Sequence, residues 1–266
     1  MRKPPTMKTT IEKTQAVVLR VSPFSRTSHV VTWLTPEFGN LATVVKGACR
    51  PKSSFLGQYD LYYTCELLFY ARERNGLHIA RECSPLNMRT ALRTNWRASA
   101  CASYLCDLVS RVSVRGHQHE IYDLTVGALD SLCADGASSQ FLFWAELKLL
   151  ECLGLSPQLN KCPACDRRLD NIASTDFSHD RGGVLCRNCA QHQGRTVTRV
   201  QPDVLAMLRN WQRAASPRAA TSTKCKPEQL AAFREILGIF LPYHLDMPTM
   251  PRSRSLALDT ICFNMP

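Results

Sequence analysis

Two Cys-x-x-Cys hooks, Cys162/Cys165 and Cys186/Cys189, stand in this chain with twenty residues between them. Each hook puts two sulfurs on one tight turn, and together they close a tetrahedral thiolate site. The segment between them must therefore fold back on itself, and Gly182 and Gly183 just before the second hook suit a short ribbon. Four thiolates leave no open coordination position, so the expected ion, one structural Zn²⁺ per chain, supports the fold and carries no chemistry. His179 and His192 flank the second hook and, with four sulfurs already supplied, read as surface residues.

At 266 residues and 45% hydrophobic content the chain can bury a substantial core and has room for two domains. The first sixteen residues carry Lys3, Lys8 and Lys13 but no apolar signal-like stretch. No run approaches the roughly 18 apolar residues of a membrane span, so the expected compartment is the cytoplasm, without membrane attachment. The thirteen cysteines include Cys101, Cys106, Cys133 and Cys152 in apolar stretches, where they read as small buried hydrophobes.

The net charge of +11 is unevenly spread. Residues 1 to 54 hold nine Lys or Arg against two Asp or Glu, whereas residues 55 to 85 are slightly acidic. A basic first segment suggests a polyanionic partner, nucleic acid or an acidic protein tail, and the plainer alternative is a solvated basic face.

Residues 15 to 85 read as strands: Gln15 to Val21, Ser28 to Leu34, Leu41 to Lys46, Leu61 to Ala71 and Leu77 to Glu82, the last two joined around Asn75-Gly76. Five short strands suit a small barrel such as an OB-fold, with an SH3-like barrel as the alternative. From residue 86 the period becomes helical, with a stripe running from Leu92 and Trp96 to Val112, then Ile121 to Cys133 and Gln140 to Cys152, stopped at Gly154. Helices resume at Pro202 to Ala214 and Pro227 to Tyr243, and Ala215 to Lys226 reads as a mobile loop. The expected class is α+β: an N-terminal OB-fold barrel over residues 1–86, then a helical domain over 87–266 with the zinc module inserted at about 158–198.

Phosphate-cradling glycine loops and the GxSxG and HExxH signatures are absent. His117-Gln118-His119-Glu120 lacks a further nearby ligand. Lys46-Gly47-Ala48-Cys49-Arg50-Pro51-Lys52-Ser53-Ser54 follows the third strand with three cations, a glycine and hydroxyls, a composition that fits contact with successive phosphates. Phe24, Trp33, Phe38, Phe55 and Tyr59 could stack on unpaired bases, although each aromatic is more at home in the barrel core.

Gln15 to Arg20, Val30 to Thr35, Gly39 and Val44 to Ser53, together with Leu153 to Leu159 leading into Cys162-Pro163-Ala164-Cys165 and the segment Leu241 to Leu258 with Arg252-Ser253-Arg254, resemble the bacterial RecO family over nearly the whole chain. The combination and order of these segments carry the resemblance. It implies a non-enzymatic recombination mediator of the RecF pathway, nucleoid-associated during repair. Such a mediator binds ssDNA and dsDNA, anneals complementary strands, captures the C-terminal tail of the single-strand-binding protein SSB, and with RecR promotes RecA loading, with RecF as a further partner. By the same resemblance, DNA contact falls to Arg20, Arg26, Lys46, Arg50 and Lys52, and the metal to the four cysteines. The chain departs from the family pattern at Cys49, where relatives often carry a small or basic residue, and at Ser54, where arginine is common. Arg93, Arg97, Arg111, Arg209 and Arg213 lie where they could rim a groove for the acidic tail.

Two other readings fit the same residues. One is a zinc-containing interaction adaptor whose basic barrel binds acidic proteins rather than DNA. The other is a Mg²⁺-dependent nuclease using acids such as Asp107, Asp123 and Asp130, although isolated acids on helices are usually solvated.

Overall fold

The computed structural model describes residues 10–71, 77–112, 116–169, 175–191 and 197–262. It divides into two compact units, residues 1–134 and 135–266.

In the first unit, alternating β-branched and apolar residues form β1 (Thr10–Ser25), β2 (Ser28–Thr35), β3 (Gly39–Val45), β4 (Thr64–Ala71) and β5 (Leu77–Asn87). They close into a barrel in the order β1-β2-β3-β5-β4. Closure depends on β1 being long: Thr10 to Val17 pair with β4, and Val17 to Ser25 pair with β2. Irregularities between Val18 and Arg20 and between Pro23 and Ser25 bend it from one partner to the other. β3 and β5 pair in parallel and the other ladders are antiparallel, which gives the OB-fold and settles the choice against an SH3-like barrel. Inward positions Ala16, Val18, Val31, Trp33, Leu41, Val45, Leu67 and Phe69 fill the interior. The polar handle of Trp33 is satisfied there, its indole N–H donating to Thr43 Oγ1 at 3.0 Å. The expected turn at Asn75-Gly76 lies outside the described residues.

The strand-to-helix change falls inside this first unit. After α1 (Ala91–Thr94) come α2 (Trp96–Val112) and α3 (His119–Asp135). Helix α2 buries Ala98, Cys101, Ala102, Leu105, Leu108 and Val109 at helical spacing. Trp96, expected on that apolar stripe, is instead 60% exposed at the first position of the helix, where its ring lies under the Arg97 guanidinium. Arg89 joins barrel to helix: it is buried, donating from Nη1 to Tyr62 O and Thr64 Oγ1 and from Nε to Asp130 Oδ1 on α3 at 2.7 Å.

The second unit is built around α4 (Ser139–Cys152), nearly all of which is buried. Ser138 caps its first turn by accepting from Phe141 N–H, and Gly154 with φ +71° ends it as the sequence indicates, the Leu155 N–H bonding back to Leu150 O at 2.8 Å. Around it pack α6 (Pro202–Arg213), α7 (Pro217–Thr221), α8 (Pro227–His244) and α9 (Arg252–Cys262). Helix α7 lies within Ala215 to Lys226, expected to be a loop; it buries only Ala220, too little to leave a periodic stripe. Phe143, Trp211 and Phe233 stack at the centre, the last two with ring centroids 4.4 Å apart. Beside them Arg254 meets the buried Glu146 in a bidentate pair of 2.6 and 3.0 Å. Gly238 on α8 makes room, since a Cβ there would sit 3.1 Å from the Arg254 guanidinium.

Candidate nucleic-acid surface and metal centre

The hooks fold as the spacing indicates. Strands β6 (Thr175–Ser178), β7 (Gly183–Leu185) and β8 (Val197–Val200) form a small sheet in the order β7-β6-β8. Cys162 and Cys165 lie on a turn in which Cys162 O accepts from Asp166 N–H at 2.8 Å. Cys186 and Cys189 follow β7 on the four-residue helix α5 (Arg187–Ala190) and its N-cap. Gly183 permits the close approach of the two halves, because a Cβ there would fall 2.3 Å from Gln158 O. Arg209 on α6 holds the first half by donating to Leu159 O and Leu169 O, so its guanidinium serves the module rather than a groove rim, and Arg213 reaches Asn160.

The four sulfurs lie within 4.8 Å of one another, and Cys165 Sγ to Cys186 Sγ is 3.7 Å. Tetrahedral Zn–S bonds of about 2.3 Å would place sulfurs roughly 3.8 Å apart, so the donor set fits a thiolate-bound ion. Burial pushes the Cys162 thiol up, but backbone N–H groups from Cys186, Ala164 and Cys165 outweigh it and bring it down to about 7. Hydrogen bonding with the neighbouring sulfurs of Cys186 and Cys165 instead pushes Cys189 up to about 12. Thiols crowded this closely resist ionising together until a cation stands among them.

His179 differs from the sequence expectation. It is 2% exposed, with Nε2 3.0 Å from Thr198 Oγ1, and burial pulls its imidazole below the ordinary range. Its backbone carbonyl lies 2.8 Å from His244 Nε2 on α8, and Phe177 meets Phe240 edge-on, which seats the ribbon on that helix. His192 lies outside the described residues.

On the barrel, the antiparallel β2–β3 ladder brings the end of β3 beside the start of β2, where the β1–β2 hairpin turns through Arg26 and Thr27. Cys49 N–H donates to Thr27 O at 3.1 Å and Gly47 N–H to Ser28 Oγ at 3.2 Å, so the loop after β3 is clamped to that hairpin. Gly47 has φ +70°, a left-handed conformation that glycine supplies without strain. Arg26, Lys46, Arg50 and Lys52 are thereby gathered at one end of the barrel, all exposed. Arg20 pairs with Thr32, which pairs with Ala42, so it sits two strands across from β3 and is offset from Lys46 by four residues, about 13 Å, along the strand direction.

None of these five cations forms an ion pair among the described residues, whereas Lys13, Arg81 and Arg93 pair with Glu66, Glu82 and Asp60. Of the aromatic candidates, Trp33 is fully buried and Phe38, Phe55 and Tyr59 pack against the core, while Phe24 is 57% exposed two residues from Arg26. The sequence drew notice to Cys49 and Tyr59 for other reasons but not to His29, the residue that links them. His29 contacts both Cys49 and Tyr59, and closing the barrel is what brings these three together. Asp107 pairs with Arg111, and Asp130 with Arg89, so both carboxylates have structural partners.

Comparison with known proteins adds to this geometry. Residues 7–89 match the family model described as Recombination protein O N terminal, and residues 93–253 match Recombination protein O C terminal. A protein of Roseiflexus sp. (strain RS-1) named DNA repair protein RecO is 35% identical over 69% of this chain and 64% of its own length. One of the same name from Anaeromyxobacter sp. (strain K) is 32% identical over 88% of this chain and 91% of its own length. A third, from Rhodopirellula baltica, is 30% identical over 78% of this chain and 77% of its own.

Proposed function

The chain belongs to the RecO family of DNA repair proteins, and from that premise we propose that it is a non-enzymatic recombination mediator that binds single- and double-stranded DNA and anneals complementary strands. The observation that carries this reading is the set of exposed cations without ion pairs: Arg26, Lys46, Arg50 and Lys52 clustered at one barrel end, with Arg20 on the neighbouring sheet surface and Phe24 beside them. Cations without carboxylate partners are free to neutralise phosphates and release counterions, and an exposed ring gives an unpaired base a stacking surface. Neutralising both strands lowers the repulsion that opposes their pairing. Within the reading, Zn²⁺ fills the cysteine quartet and holds the ribbon, leaving no coordination position for substrate.

Capture of the SSB tail, cooperation with RecR and delivery of RecA complete the proposal, with RecF as a further partner. An apolar pocket of about 180 Å³ in the second unit, lined by Phe143, Leu230 and Leu258, supports capture of the tail's apolar end, and Arg234 at its side, paired with Asp259 at 2.8 Å, would have to exchange that carboxylate for one of the tail's. The decisive experiment is annealing of two complementary oligonucleotides coated with cognate SSB, run beside SSB lacking its acidic tail. Acceleration that needs the tail is the expected result. No acceleration with either SSB, from folded and metal-loaded protein, would favour an adaptor that binds acidic proteins.

A further inference from the structure

The basic loop carries a group that phosphate contact does not use. Among the described cysteines the exposed ones are Cys49 and Cys165, and Cys165 belongs to the quartet. Outside the quartet Cys49 is thus the fully exposed described thiol, Cys133, Cys152 and Cys225 being partly covered. Cys101 and Cys106 show the opposite condition, since burial pushes both thiols up to about 12 and keeps them protonated.

Cys49 is also not alone. Its Sγ lies 3.3 Å from Nε2 of His29, and Nδ1 of the same ring lies 2.8 Å from the Tyr59 hydroxyl. The three groups come from the loop after β3, the start of β2 and the segment before β4, and the Cys49 N–H bond to Thr27 O fixes the sulfur over β2. Burial, with the thiols of Cys49 and Cys83 adding to it, pushes the Tyr59 phenol well above its ordinary value, so Tyr59 remains a neutral hydroxyl. Either His29 tautomer then engages the sulfur. If Nδ1–H donates to Tyr59, Nε2 accepts from the Cys49 S–H; if the Tyr59 O–H donates to Nδ1, the Nε2–H donates to the Cys49 sulfur. Lys46, Arg50 and Lys52, within three residues of the sulfur in sequence, add the positive surroundings that reactive thiolates require.

Resting on the loop's proposed part in DNA contact, we propose that Cys49 is a reactive thiol, with His29 as its base, that hydroperoxides convert to a sulfenic acid and that bound DNA shields. His29 Nε2 takes the thiol proton, and the sulfur attacks one oxygen of hydrogen peroxide. The O–O bond breaks, and the departing hydroxide takes the proton and leaves as water. Sulfur gives up two electrons and the peroxide gains them. A low-molecular-weight thiol then attacks the sulfenic sulfur, and the hydroxyl leaves as a second water to give a mixed disulfide. With glutathione as that thiol, net negative charge is set among Lys46, Arg50 and Lys52, and the loop's hold on phosphate weakens.

The test uses the full chain with its quartet loaded with Zn²⁺, treated with hydrogen peroxide in the presence of dimedone and read residue by residue by mass spectrometry. Cys49 is expected to be labelled faster than the same sequence in an unstructured peptide, and His29→Gln to slow it at least about tenfold in protein that remains folded. Labelling of Cys49 at the peptide's rate overturns the proposal even if His29→Gln fails to fold, and a rate unchanged in folded His29→Gln overturns it as well. A saturating oligonucleotide is expected to suppress the labelling. Fast, His29-dependent labelling that DNA leaves untouched would keep the reactive thiol and overturn the loop's place in DNA contact.

Discussion

Lys46, Arg50 and Lys52 could be picked out as phosphate ligands because three cations in seven residues, with Gly47 among them and Ser53 and Ser54 just after, are a local signal. Replacing all three by Ala is expected to lower the slope of log K against log salt for single-stranded DNA by about two, at roughly 0.7 for each phosphate no longer neutralised, and a titration at several salt concentrations reads it directly. His29 and Tyr59 gave no such signal, since they lie 20 and 10 residues from Cys49 and meet it only in the folded barrel. The same holds for Glu146 and Arg254, which stand 108 residues apart. Glu146→Ala leaves a buried guanidinium without its carboxylate and is expected to cost about 3–5 kcal/mol in denaturant unfolding, whereas replacing both partners by apolar residues of similar size costs far less.

Most elements with a full period were legible and short ones were not, while α9, eleven residues long, was not read as a helix. α4, α6 and α8 announce themselves through apolar spacing, a proline at the start of two of them and Gly154 at the end of the first. α7 has five residues and one buried side chain, so nothing periodic marks it. The strands of the ribbon are three or four residues long, too short to alternate, and only the cysteine hooks betray them. The ribbon buries Phe177, Val184, Leu185 and Val200, and a metal held by its four thiolates adds directly to its folding. Cys162→Ser is expected to lower the metal content from about one ion per chain and to lower the melting temperature; metal-free protein that melts unchanged would contradict this assignment.

At the scale of the molecule, strand count suggested a small barrel, but only the pairings decided which one. Parallel β3–β5 pairing and the closing β1–β4 ladder join residues far apart in sequence, and composition cannot encode that order. The change of period at residue 86 was legible, yet α2 and α3 belong to the same compact unit as the barrel. With two units and the metal in the second, calorimetry is expected to resolve two transitions, of which a chelator shifts only one. A single transition that moves as a whole on metal removal would instead mean that the units unfold together. The buried Glu146–Arg254 pair also sets a timetable for synthesis. At about 5–20 residues per second the ribosome delivers Arg254 roughly 5–20 s after Glu146, and until then the carboxylate would have to be buried without that guanidinium. The second unit's nascent core therefore waits for α9, and a ribosome stalled ahead of residue 252 holds a chain that chaperones and proteases can still reach.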